Sequence, residues 1–296
     1  MLAIGASIGG LVTAWLGRDV AFLINAASFF ASAMFIGATR YGGRPARVPE
    51  GSRRKTRRSA LHRIAALTGA VDLTEGFRYV RQRSHVAALM FVKAGWGVAG
   101  GVLLLLTIFG QRVFSVGGST AAGIGVLYGA RGVGAALGPL TLRWILGQRP
   151  EALRRAIGPA YFMVGVFYMA LSIAPTLPLA ALCVLLAHFG GSILWVFSTV
   201  LLQMEVPDRF RGRVFAAELA LVTLTSSVSS YLTGVALDRT GWSPQGLALT
   251  LGATFCVPGI VWLLIVSRWQ EPVGARHAHA SATRSVEEEI LEGRIG

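Results

Sequence analysis

Charge is the first thing this sequence lacks. Asp, Glu, Lys and Arg make up only 14% of its 296 residues, against about 25% in an average soluble domain. So few charges cannot coat a water-facing surface of this size, which excludes an ordinary soluble globule. Acidic residues are scarcer still: 14 against 28 Lys and Arg, a formal net charge of +14. Cysteine is nearly absent. Cys183 and Cys256 each sit in an apolar run with no CxxC and no nearby histidine cluster, so neither a disulfide framework nor a zinc site is expected. Both thiols read as core or lipid-facing groups. Catalytic signatures are missing too: there is no GxSxG, no phosphate-binding loop with its lysine and no HExxH. No catalytic residue, metal or cofactor is therefore assigned, no enzyme is expected, and ATP is not expected to drive work within this chain. His277 and His279, in a polar tail, read as solvated residues rather than a metal site.

What is abundant is apolar surface. Hydrophobic residues are 53% of the chain and the mean hydropathy is +0.59, which excludes disorder of the whole chain. A membrane helix needs about 20 mostly apolar residues. Eight segments qualify, at about 2–17, 20–38, 86–110, 119–142, 156–174, 178–203, 214–237 and 246–267. Several are apolar all round, as at 102–106 and 177–186, where a soluble bundle would show polar faces. The fold class is thus all-α integral membrane with about eight transmembrane helices. The first two form a hairpin over 1–38, lacking the basic start and small-residue cleavage site of a leader. A basic linker at 39–85 follows, with a short amphipathic helix in VDLTEGFRYVRQR (71–83). Six closely spaced segments fill 86–267, and 268–296 is a tail expected to be disordered.

The basic residues sort by side. If the segments alternate in direction, 23 of the 28 fall on one face, in the linker, at 143–155, at 205–213 and in the tail. The opposite face carries Arg18, Arg112 and Arg239, while Lys93 and Arg131 lie inside segments. The positive-inside rule makes the rich face cytoplasmic, giving a multi-pass protein of the cell membrane with both ends of the chain in the cytoplasm. The net charge therefore points to anionic lipid headgroups of the bilayer, not to nucleic acid.

Six closely spaced helices after a basic linker resemble one half of a major facilitator superfamily transporter. The hairpin GASIGGLVTAWLGRDVAFLINAASFFASA (5–33) resembles the fifth and sixth helices of that family. LTEGFRYV (73–80), GVLYGARGVG (125–134) and VPDRFRGRVF (206–215) resemble its enterobactin-exporter-like and macrolide-efflux-like branch. In order, they resemble that branch's stretch before helix seven, its helix eight, and its loop between helices ten and eleven. The resemblance covers most of 1–270 and implies helices 5–12 of a twelve-helix fold, with helices one to four missing. It further implies secondary active efflux of a small molecule, drug- or siderophore-like, by alternating access with proton coupling. The missing helices, or a partner chain, would then be required. The alternative is a truncated or non-transporting membrane protein with a structural or partner-binding role. In place of the family's acidic loop after helix two, the second-half counterpart at 143–149 keeps arginines but has no Asp.

Polar groups at membrane depth are costly and mark pathways or partners. Five residues are candidates for substrate or proton coupling. Arg131, near the middle of the fourth segment, suits an anionic substrate or a proton-coupling role, or is a charge pinned by carbonyls. Lys93, about two turns into the third, serves the same purpose or snorkels to the surface. Glu218, about one turn into the seventh, takes and releases a proton or pairs with Arg211 or Arg213. His188 relays protons or bonds to a neighbour. Asn25 makes an interhelical hydrogen bond or touches substrate. Asp208, Arg211 and Arg213 are candidates for a cytoplasmic gate. The pairs Gly5/Gly9, Gly97/Gly101, Gly125/Gly129 and Gly134/Gly138 predict close helix packing, and Pro139, Pro159 and Pro258 predict kinks.

Overall fold

Backbone groups withdrawn from water must bond within their own segment, so long apolar runs settle as helices. A computed structural model describes residues 18–38, 76, 78–115, 120–147 and 149–269, and they are helical almost throughout. α1 is Arg18–Ala38; α2 is Ser84–Val98; α3 is Val102–Ile108, running into a π-helical stretch at Phe109–Val113. Then come α4 (Thr120–Leu146), α5 (Pro150–Leu171), α6 (Leu177–Glu205), α7 (Asp208–Arg239) and α8 (Pro244–Ser267). The segment expected at 2–17, most of the linker and nearly all of the tail lie outside the described residues. Each of the other seven expected segments is a helix, or a pair of helices in line.

Four rods are long and apolar enough to cross a membrane: Ser84–Val113, Leu177–Glu205, Phe210–Arg239 and Pro244–Ser267. The apolar part of α1, Phe22–Ala38, is shorter. With 27 and 22 residues, α4 and α5 have the length. Glycines and Arg131 dilute the apolar content of α4, and Arg154-Arg155 that of α5.

The ends follow from the sequence. Pro150, Pro178 and Pro244 occupy the first turns of α5, α6 and α8, where the missing N–H costs nothing. Ser243 caps α8, its Oγ accepting from the Gly246 N–H at 3.0 Å. Gly147 and Gly241 take the left-handed conformation, φ 65° and 69°, and stop α4 and α7. Pro139, Pro159 and Pro258 sit inside α4, α5 and α8, which continue through them.

α6 lies against α4, α5 and α2; α8 packs along α5, and α7 along α2. Small residues set these approaches. A Cβ on Gly134 or Gly138 of α4 would collide with the carbonyls of Leu185 and Phe189 on α6. A Cβ on Gly165 of α5 would fall 2.7 Å from the Gly252 carbonyl on α8. Gly97 of α2 and Gly101, just ahead of α3, press on Thr225 and Thr233 of α7. Gly125 departs from the expectation: nothing lies within 4 Å of its would-be Cβ, so no close approach forms there among the described residues. In α1 every described side chain from Asp19 to Ala38 is exposed.

The α2–α3 rod is interrupted at Ala99–Gly101. Ala99 and Gly100 bond three residues back, to Trp96 and Gly97. The Gly101 N–H leaves the helical ladder and donates instead to Ser229 Oγ on α7, at 3.0 Å. A buried N–H without a partner would cost about 1–3 kcal/mol, so the facing hydroxyl is what allows the interruption.

Candidate functional site

Lys93 and Glu218 meet in the interior. Each sits about ten residues from the same end of its helix, one on α2 and the other on α7, so they share a depth of about 15 Å at 1.5 Å per residue. Lys93 Nζ donates to Glu218 Oε2 at 2.9 Å, with side chains 6% and 3% exposed. The ammonium lies 5.0 Å from the centre of the Trp195 ring of α6 and 5.9 Å from that of Phe215. Ring faces attract a cation, the more so when it is desolvated. Glu218 Oε1 is buried with no hydrogen-bond partner among the described residues. The carboxylate is thus satisfied on one side only, leaving an acceptor that a proton could occupy.

This pairing corrects two sequence-level alternatives. Lys93 does not snorkel; it turns inward. Glu218 does not pair with Arg211 or Arg213, because α7 begins at Asp208 and so carries Glu218 three turns deep rather than one.

A cleft of about 370 Å³ adjoins the pair. Trp96 and Trp195 form its aromatic wall, with Thr223, Ser226, Ser227 and Ser230 of α7 as a row of hydroxyls. The two indoles meet edge to face at 5.9 Å. Such a cleft offers a flat apolar surface and hydrogen-bonding groups.

A second polar cluster joins α4, α5 and α6. Tyr168 OH and His188 Nε2 are 2.9 Å apart, both buried. The Arg131 guanidinium lies within electrostatic reach of both and 5.9 Å from the Tyr128 ring centre. Arg131 Nε is buried without a hydrogen-bond partner among the described residues. Tyr128 OH donates to the Leu103 carbonyl at 3.0 Å, tying α4 to α3. Asn25 reaches neither cluster: it is exposed on α1, where its own carbonyl accepts from Ser28 Oγ at 2.7 Å.

At the α6–α7 turn, Arg211 Nη2 binds Asp208 Oδ1 at 2.8 Å and donates to the Gln203 carbonyl at 3.0 Å. It therefore clasps the last turn of α6 to the first of α7. Tyr79, from the short helix ahead of α2, stacks on Phe210 at 4.4 Å, and Gly76 abuts Arg213. Of the stretch 71–83, residues 78–81 are helical, with Tyr79 and Val80 buried; most of its first half lies outside the described residues. Sequence reasoning missed Tyr168, Trp96, Trp195 and the α7 hydroxyls. A run of seven Ser and Thr from 223 to 233 in an otherwise apolar stretch was the available signal.

Apolar rods, a buried charge pair and a cleft beside it define a multi-pass helical membrane protein of the transporter class. The Major Facilitator Superfamily profile matches residues 1–217, and the chain belongs to that family. Over 249 residues it is 27% identical to the multidrug efflux pump Tap of Mycolicibacterium fortuitum, covering 84% of this chain and 56% of that protein. Uncharacterized MFS-type transporters of Mycobacterium bovis and Mycobacterium tuberculosis are each 25% identical over 224 residues, 73% of this chain and 48% of theirs. The chain spans about half the length of the curated relatives it matches. No solved structure matches it.

Proposed function

We propose that residues 84–267 are the second six-helix half of a twelve-helix carrier of the efflux-pump branch, with α1 and the segment before it as helices five and six. The complete carrier exports a small molecule by alternating access, driven by proton entry. The observation that carries this reading is the buried Lys93–Glu218 pair beside the Trp96–Trp195 cleft, with one carboxylate oxygen unpartnered.

Its chemistry follows from the pairing. With Glu218 ionised, the ion pair ties α2 to α7 and offers no net charge to the cleft. A proton on Glu218 removes its attraction for Lys93, leaving the ammonium to the Trp195 and Phe215 faces. The α2–α7 contact loosens while a cationic group appears at the cleft. Arg131 and the His188–Tyr168 pair are a second coupling or substrate-contact group. Asp208 and Arg211, with Arg213 beside them, act as the clasp that opens when the halves rock. Of the four spans, α7 is the least buried within the described bundle, which suits a face that another six-helix half would cover. The rich basic face is cytoplasmic by the positive-inside rule, placing the protein in the cell membrane with both ends of this chain inside.

The test is accumulation of a panel of fluorescent dyes and drugs in bacterial cells making the complete carrier, with and without a protonophore. Wild type is expected to lower accumulation of at least one compound, the protonophore to abolish the effect, and Glu218→Gln and Arg131→Ala to impair it. Export by Glu218→Gln at the wild-type rate, or export indifferent to the protonophore, would defeat the proton-coupled reading.

A further inference from the structure

The hydroxyls of α7 fall into two sets. A hydroxyl in a helix can fold back onto a carbonyl about one turn earlier. Thr225 does so onto Leu221 at 3.0 Å, and Thr233 onto Ser229 at 2.8 Å. Ser229 Oγ accepts from the Gly101 N–H. The other set lines the Trp96–Trp195 cleft: Thr223, Ser226, Ser227 and Ser230, near the middle of α7. These four make no hydrogen bond among the described residues. Neighbouring hydroxyls on one helix are thus divided. Those away from the cleft are bonded within the protein, and those lining it are free.

The free set and the wall opposite it define what fits. A hydroxyl withdrawn from water without a partner is costly, so a ligand that fills the cleft must bring groups that bond to it. Each hydroxyl can donate and accept, which suits alcohol, ether and carbonyl oxygens alike. Positions 223, 227 and 230 follow one stripe of the helix, with its ends about 10 Å apart along the axis. The rest of the wall is ring and aliphatic surface, from the edge-to-face indoles to Leu103, Leu219 and Val222. A cleft of about 370 Å³ is within the size range of small-molecule sites. No charged side chain lines it among the described residues. The Lys93 ammonium lies 5.0 Å from the centre of the Trp195 ring, so a ligand cation stacked on that ring would meet a like charge.

We propose that the cleft takes uncharged, flat, fused-ring compounds with oxygen substituents along one edge, and discriminates against flat cations. The rings lie on Trp96 and Trp195, and the oxygens bond to the free hydroxyls of α7. Thr223, Ser226, Ser227 and Ser230 are then the groups that set specificity, a role that Thr225, Ser229 and Thr233 do not share. As a substrate preference the inference rests on the carrier reading; as a statement about binding it does not need export.

The experiment uses the 296-residue chain in neutral detergent. Equilibrium dialysis between micelles with and without the chain, at equal detergent, reads the excess compound held by the protein. The probes share an anthracene frame. One carries a hydroxymethyl group on each outer ring along the same edge, one carries methyl groups there, and one carries aminomethyl groups, cationic at neutral pH. Wild type is expected to hold the hydroxymethyl compound about tenfold more tightly than either of the others, as two ordinary hydrogen bonds give. Thr223→Val combined with Ser227→Ala, both at exposed positions, keeps the unfolding temperature and removes most of that preference. Thr225→Val, which deletes a hydroxyl already bonded within its helix, leaves the preference unchanged. No probe held in excess, or a preference that survives the Thr223–Ser227 double substitution, overturns the proposal. The aminomethyl compound held as tightly as the hydroxymethyl one overturns the selection for uncharged ligands. Hydroxyl-dependent binding here, without protonophore-sensitive export by the complete carrier, leaves the site standing and defeats the transport reading alone.

Discussion

Removing either partner of the Lys93–Glu218 pair should cost far more than removing both. At 2.9 Å and an effective dielectric of about 20, the attraction is roughly 6 kcal/mol. Desolvation of each ion offsets several kcal/mol of that, so the intact pair adds little net stability. The asymmetry appears on mutation. Lys93→Met leaves a carboxylate 3% exposed with no cation, and Glu218→Met leaves an ammonium with only ring faces. Each should cost about 3–5 kcal/mol, whereas the double Met variant should be neutral or stabilised by about 1–4 kcal/mol. The sum of the singles and the double then differ by roughly 6 kcal/mol or more. Unfolding in mixed dodecylmaltoside–SDS micelles reads this directly through tryptophan fluorescence, Trp195 being 5.0 Å from the ammonium. Singles within about 1 kcal/mol of wild type, adding simply in the double, would show that the pair is hydrated and would refute the buried-pair reasoning.

Gly97→Leu and Gly101→Val should each destabilise by about 3 kcal/mol or more through overpacking against α7. Gly125→Ala, facing open space, should be neutral or stabilising by up to about 1 kcal/mol; thermal unfolding compares the three. Ser229→Ala deprives the Gly101 N–H of its acceptor and should cost about 1–3 kcal/mol, with faster hydrogen exchange at that amide. Tyr168→Phe strands His188 Nε2 and should cost a similar amount, recovered in large part when His188→Leu is added. Arg211→Ala should change stability by less than about 1 kcal/mol, since the Asp208 carboxylate is 88% exposed and exposed pairs contribute little; its effect belongs in transport rate if the clasp reading holds.

The helices were legible because apolar runs end where proline opens and glycine closes them, as at Pro150, Gly147, Gly241 and Pro244. The interruption at Ala99–Gly101 was not, because it depends on a hydroxyl 128 residues away. The same limit applies to the site. Lys93 and Glu218 stand out individually since a charge at depth is expensive, but they are 125 residues apart. Arg211 and Arg213, a few residues from Glu218, look like nearer partners along the chain. Only the true start of α7 removes them. Tyr168 and the two tryptophans gave no sign at all, because an aromatic in an apolar helix reads as packing until its polar edge finds a partner.

Those aromatics explain why the charge pair sits where it does. His188 and Trp195 are seven residues apart on α6, two turns along nearly one face. From Trp195 the rings continue to Trp96 at 5.9 Å, from Trp96 to Phe255 at 6.4 Å, and from Phe255 to Tyr168 at 6.2 Å. Tyr168 returns to α6 through His188. The circuit ties α2, α5, α6 and α8 through broad, stiff contacts, and it omits α7. The contact of α7 with the α2–α3 rod is of another kind: a seam of glycine against hydroxyl, the bond from Gly101, and the Lys93–Glu218 pair. In the proposed cycle a proton on Glu218 therefore acts at the boundary between a body locked by rings and a helix outside the circuit. The same proton on a carboxylate inside the circuit would have to deform the whole core, whose close packing resists small continuous shifts.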